Sequence, residues 1–168
     1  GNEPDLRSTG NGGDVTSTSA YDVRVFSDAD LTTELDIEIE DYDPTTGEIF
    51  LWVSVDLGTD ADTLIYIAYG DSTLTTDPST TDVWDSNYLG VYHFGNDRGY
   101  LQDSTSNDND LTAASGGISQ SSGGSDDIGY GIGKSSYSGG YFTDSGVALT
   151  AGQSCTISFR LGIYSADI

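Results

Sequence analysis

The stretch Glu34-Leu35-Asp36-Ile37-Glu38-Ile39-Glu40-Asp41-Tyr42-Asp43-Pro44-Thr45-Thr46-Gly47-Glu48-Ile49-Phe50-Leu51-Trp52-Val53 decides the fold class. Leu35, Ile37 and Ile39 interleave with Asp36, Glu38 and Glu40, the period-two alternation of a strand with one buried and one solvated face. Asp43 to Gly47 then supplies turn chemistry, with Pro44 pre-setting φ and Gly47 free to take positive φ. Ile49 to Val55 follows as a second strand. Leu51, Val53 and Val55 share one of its faces, Phe50 and Trp52 the other, so the strand is expected to be central and sandwiched, with Trp52 as a buried sheet aromatic and a stacking platform for a sugar as the competing expectation. Outward from this pair, Tyr21 to Phe26 and Leu64 to Tyr69 read as further strands, and no helical period lasts beyond a turn. The expectation is an all-β chain.

Gly70 to Asp82 is polar and rich in Ser, Thr and Asp, and it reads as a linker. The composition shifts after it. Leu89-Gly90-Val91-Tyr92-His93-Phe94 is apolar enough for a strand that opens a second unit, Gly and Ser dominate from Ser115 to Gly140, and Cys155 to Ile163 reads as a last strand. Two β units are therefore expected, residues 1–80 and 83–168.

Twenty-eight acidic residues face 5 basic ones, a net charge of −23. Phosphate neutralisation needs Lys and Arg, so nucleic acid is not an expected partner. The acids are scattered among Gly, Ser, Thr and Asn, as turn residues and a solvating shell, and aromatic and β-branched residues recur throughout, which argues against a disordered tail. Such a surface suits high salt, where a hydrated carboxylate shell keeps protein soluble, or a calcium-containing exterior. No stretch approaches the roughly 18 apolar residues of a spanning helix, so membrane insertion is not expected. The single cysteine, Cys155, lies in an apolar run and is expected to be a buried small hydrophobe. The absence of methionine and the opening Gly1-Asn2-Glu3-Pro4 suit an excerpt of a longer polypeptide.

Two resemblances rest on particular residues. Tyr21-Asp22-Val23-Arg24-Val25-Phe26, Thr33 to Glu40, Trp52-Val53-Ser54-Val55 and Ile65 to Asp71 resemble an uncharacterised β-domain family of prokaryotic and phage surface proteins, over about Asp5 to Asp82. Val91-Tyr92-His93-Phe94, Asp103 to Asn109, Gly140-Tyr141-Phe142 and Thr156-Ile157-Ser158-Phe159 resemble the start of a laminin-G or concanavalin A-like lectin domain. The second resemblance implies a β-sandwich of jelly-roll type. A jelly roll needs about as much chain again beyond Phe159, so strands from further chain or from a neighbouring subunit are expected to complete it.

Four candidate chemistries follow. Glu34, Asp36 and Glu38 resemble the active-site strand of lichenase-type glucanases, since i, i+2 and i+4 of a strand point one way; solvated outward carboxylates are the competing and favoured expectation. His93, the only histidine, is expected to be a hydrogen-bonded structural imidazole on a strand. Asp103, Asn107, Asp108, Asn109 and Asp110 crowd a turn with hard oxygen ligands and form a candidate calcium site, to which the lectin resemblance adds; a turn rich in Asx residues also forms without metal. Trp84, Tyr88, Tyr100 and Tyr141 are the candidate ligand-binding aromatics, suited alike to glycans and to protein interfaces.

The function expected from this reading is non-enzymatic: structural assembly and glycan or host-surface recognition on a cell exterior or virion, with other copies or neighbouring subunits as partners. A carbohydrate-active enzyme or its accessory binding module is the alternative, and a purely architectural sheath, capsid or tail subunit is a third.

Overall fold

The computed structural model describes residues 3–59, 61–95, 99–115, 118–122, 130–134, 141–143, 147 and 154–158. Its regular structure is strand, interrupted only by 3-10 turns at Pro4–Leu6, Thr9–Asn11 and Thr81–Val83. The strands are β1 (Arg24–Phe26), β2 (Ile37–Asp43), β3 (Glu48–Val53), β4 (Tyr66–Ala68), β5 (Thr112–Ser115), β6 (Ile118–Ser122), β7 (Tyr130–Lys134) and β8 (Tyr141–Thr143). They pair antiparallel as β1 with β4, β2 with β3, β5 with β8 and β6 with β7. The all-β expectation holds.

The β2–β3 hairpin forms where the alternation and turn chemistry place it. Gly47 closes the turn at φ 77°, its N–H bonded to the Asp43 carbonyl, and the Asp43 carboxylate takes the Thr45 N–H at 2.8 Å. Within β2 the ladder runs Ile39 to Leu51 and then Asp41 to Phe50, so Glu40 is the extra residue of a β-bulge. The bulge resets the phase of the strand: Ile39 and Tyr42, of opposite parity, enter the same core with Val15, Ala20 and Val23. Leu6, Ile49 and Leu51 close that core, and the Tyr42 hydroxyl donates to the Leu6 carbonyl at 2.7 Å.

Buried Asp22 anchors the opposite side. Its carboxylate accepts the backbone N–H groups of Thr16, Ser17 and Gly70 at 2.8–3.0 Å, which ties the loop before β1 to the end of β4. Burial works to raise this carboxyl, but those donors outweigh it and hold it below the usual range.

Several expectations are corrected. Gly70 to Asp82 does not act as a mere connector: Ser79 bridges Ile37, Thr80 N–H donates to the Ile37 carbonyl, and Ser79 Oγ accepts the Ile39 N–H, so this segment covers the outer edge of β2. Glu38 and Glu40 are buried, not solvated, because the chain beyond residue 83 roofs the polar face of β2. β3 is not central; among the described residues it pairs with β2 alone, and Trp52 is 40% exposed. Residues 89–94 form no strand, and Phe94 turns the chain at φ 58°. Cys155 is exposed, and residues 154–158 pair with no strand among the described residues; the rest of the strand expected up to Ile163 lies outside the described residues.

Candidate functional site

Glu38 sits opposite Trp52 in the ladder, on the face of β2 turned away from Ile37 and Ile39. Its side chain is 1% exposed and is met from above by residues 46 to 66 positions later. Trp84 Nε1–H donates to Oε2 at 2.6 Å, Ser104 Oγ donates to Oε1 at 2.6 Å, and His93 Nε2 lies 3.3 Å from Oε2. The 3-10 turn at Thr81–Val83, capped by Thr80 Oγ1, delivers Trp84. The Asp103 turn delivers His93 and Ser104 together, because Asp103 Oδ1 accepts the Val91 N–H and Ser104 N–H donates to the Val91 carbonyl.

Glu40, thrown out of register by the bulge, accepts the Trp52 Nε1–H at 2.7 Å and lies 3.5 Å from His93 Nδ1. His93 therefore stands between the two carboxylates, as the expected hydrogen-bonded imidazole, on irregular chain rather than a strand. The two acids are driven in opposite directions. For Glu38, burial favours the neutral acid, but hydrogen bonds from His93, Ser104 and Trp84 and the histidine's charge prevail and lower it. For Glu40, burial dominates over His93 and the Trp52 N–H, the charges of Glu38 and Asp41 add to it, and the carboxyl is raised.

Above the carboxylates the rings form one group. Trp52 stacks on His93 with centroids 5.3 Å apart, Trp84 meets Trp52 at 5.1 Å, and Tyr88 meets Trp84 edge-on at 5.1 Å. Tyr88 is 47% exposed, so the group presents aromatic surface to solvent while its indole N–H groups are fixed below. A pocket of about 20 Å³ beside it, lined by Glu38, Glu40, His93, Gln102 and Ser104 among others, has room for about one water. A sugar ring would have to lie across the aromatic surface.

The other candidate residues divide. Trp84 and Tyr88 are brought together, joined by Trp52 and His93, whereas Tyr100 has no contact with this group among those described. Tyr141 lies on β8, and its side chain is outside the described residues. Glu34, Asp36 and Glu38 do not share a cleft: Glu34 is exposed and pairs with Arg24 at 3.0 Å, Asp36 is exposed before β2 begins, and Glu38 is buried. In the Asx-rich turn Asp103 uses both oxygens internally, Oδ1 for the N–H groups of Val91 and Thr105 and Oδ2 for Thr105 Oγ1 and the Asn109 N–H. Asp110 accepts the Asp103 N–H, and the amides of Asn107 and Asn109 reach the carbonyl of Leu89. Among the described residues no group of three or more His, Cys, Asp or Glu is arranged to hold a metal ion. Glu40 and Ser104 are the members that the sequence reading missed, while Trp52 was weighed there as a sugar platform against a buried aromatic; the doubled acid Glu40-Asp41, which breaks the alternation, was the signal for the bulge.

A family model described as a domain of unknown function (DUF2341) matches residues 19–109, more than half of the chain. The chain belongs to this family. The matched region contains both halves of the network, Glu38 and Glu40 on β2 and Trp84, His93 and Ser104 above them, and it continues past the boundary expected near residue 83. No curated protein and no solved structure matches the chain.

Proposed function

We propose that this DUF2341 chain is a recognition and assembly module of an exposed surface, on a cell or a virion, and that it binds glycans across Trp52, Trp84 and Tyr88. The observation that carries the reading is the half-exposed ring group whose indoles are pinned by Glu40 and Glu38. Pinned rings lose little freedom on binding, so a sugar face laid on them keeps most of the contact free energy. The hydroxyl of exposed Tyr88 supplies a hydrogen-bonding group at the rim. A high negative charge disfavours acidic sugars and leaves neutral polysaccharides as the ligand class. In this reading the later hairpins belong to a concanavalin A-like sandwich, and several weak sites in an array gain from effective concentration. Affinity electrophoresis of the intact chain through gels containing neutral polysaccharides is the test: retardation supports the reading, and unretarded migration in all of them defeats it.

A further inference from the structure

Glu40 leaves one carboxylate oxygen unused. Its Oε2 accepts the Trp52 Nε1–H and faces His93 Nδ1, while Oε1 accepts no hydrogen bond although the side chain is only 5% exposed. A buried acceptor without a donor is unfavourable and rare. Glu40 lines the cavity of about 20 Å³, and exposed Gln102, which lines it too, marks the side that opens to solvent. The other polar groups there have few protons to give. Ser104 spends its hydroxyl proton on Glu38 Oε1 and keeps its lone pairs. Both His93 nitrogens are turned to carboxylate oxygens, at 3.3 Å for Glu38 and 3.5 Å for Glu40. The Gln102 side chain, unbonded among the described residues, is able to present its amide oxygen.

The charges agree with this excess of acceptors. Burial, with the charges of Glu38 and Asp41 added, raises the Glu40 carboxyl against the pull of His93 and Trp52, in a chain of net charge −23. We infer that the cavity receives the ammonium end of an unbranched alkylamine, the chemistry shared by a lysine side chain of a partner protein and a free diamine. A primary ammonium brings donors and no lone pair, which suits Glu40 Oε1, Ser104 Oγ and the Gln102 oxygen, whereas a hydroxyl would turn lone pairs toward carboxylates. The bonds it forms with Glu40 join two charged groups and are stronger than neutral ones. Room for about one water admits the nitrogen and excludes an amine borne on a branched sugar carbon, so this site is distinct from the proposed glycan surface beside it.

Trp52 reports on the site, because its indole N–H shares the Glu40 carboxylate. The experiment is titration of the intact chain, labelled with nitrogen-15, with n-butylammonium chloride at constant ionic strength, following the Trp52 indole N–H resonance. A saturable shift is expected, with none from 1-butanol, glucosamine hydrochloride or tetramethylammonium chloride. In Glu40→Gln the Trp52 N–H holds the amide oxygen at the place of Oε2, so an amide nitrogen replaces Oε1 and an acceptor becomes a donor of the same size. Trp52 stays pinned, and affinity for n-butylammonium is expected to fall about tenfold or more, with unchanged circular dichroism. Two further probes separate the sources: Nα-acetyl-lysine methylamide bound as tightly as putrescine assigns the site to a lysine side chain, and a preference for putrescine assigns it to a free diamine. A native chain whose resonance does not respond to n-butylammonium overturns the proposal. So does an equal shift from 1-butanol, glucosamine or tetramethylammonium, or an unchanged affinity in Glu40→Gln. Binding of neutral sugars enters none of these outcomes, so this site and the glycan reading stand or fall separately.

Discussion

The indole N–H of Trp84 donates to the carboxylate of Glu38, 46 residues earlier, at 2.6 Å. With Ser104 Oγ on the other oxygen, this makes a buried carboxylate the fastener between the β2–β3 hairpin and the chain beyond residue 83. Removing one partner of such a buried charged network leaves the others unsatisfied. Glu38→Ala is expected to cost about 3–5 kcal/mol of stability. Glu38→Gln, which keeps one acceptor oxygen, should cost less. Urea denaturation of the two variants beside the native chain checks the order.

The same fastener predicts the behaviour of a fragment. Residues 1–82 contain Glu38 and Glu40 but lack Trp84, His93 and Ser104, so Glu38 would lose those three partners and Glu40 would lose His93 while keeping the Trp52 N–H. The fragment should unfold without a cooperative transition, whereas residues 1–115 should retain one. Thermal unfolding followed by tryptophan fluorescence distinguishes the two.

Asp22 and Glu40 give opposite pH dependences. Asp22 is lowered in the fold, so its contribution is complete above its ordinary value near 3.8 and is lost as pH falls through the depressed one. Asp22→Asn should therefore destabilise at neutral pH and converge with the native chain in acid. Glu40 is raised, so the stability linked to its protonated form is present below its ordinary value near 4.5 and is lost as pH rises through the folded one. Glu40→Gln should gain on the native chain as pH rises from acid to neutral. Denaturation midpoints across that range carry both signs.

The Asp103 turn is built by hydrogen bonds from Val91, Thr105 and Asn109 to both carboxylate oxygens. Asp103→Ala should lower stability by about 1–3 kcal/mol, with or without calcium. For the native chain, EDTA and added calcium are expected to give the same melting temperature. A rise with calcium, reversed by EDTA, would instead assign Asp103, Asn107, Asp108, Asn109 and Asp110 the ligand role considered from sequence.

The hairpin was legible because Ile37, Ile39 and the Asp43 to Gly47 turn obey local rules. The burial of Glu38 was not, since alternation reports which residues share a face and says nothing of what covers that face from 46 residues away. Trp52 shows the same limit in reverse: its bulk suggested a buried position, and its surroundings leave it half open because β3 has one ladder neighbour among the described residues. Trp84 and Tyr88 were legible as candidates, but their union with Trp52 over two acids is a tertiary fact.

The exposed ring group of Trp52, Trp84 and Tyr88 is the proposed glycan platform. The most direct measurement is titration calorimetry of a neutral oligosaccharide into the native chain and into Trp52→Ala, each first shown to be folded. A binding isotherm for the native chain, weakened roughly 30-fold in Trp52→Ala as for a central aromatic contact, is the predicted result. Equal affinity in the two proteins, or no heat with any neutral oligosaccharide, would contradict it.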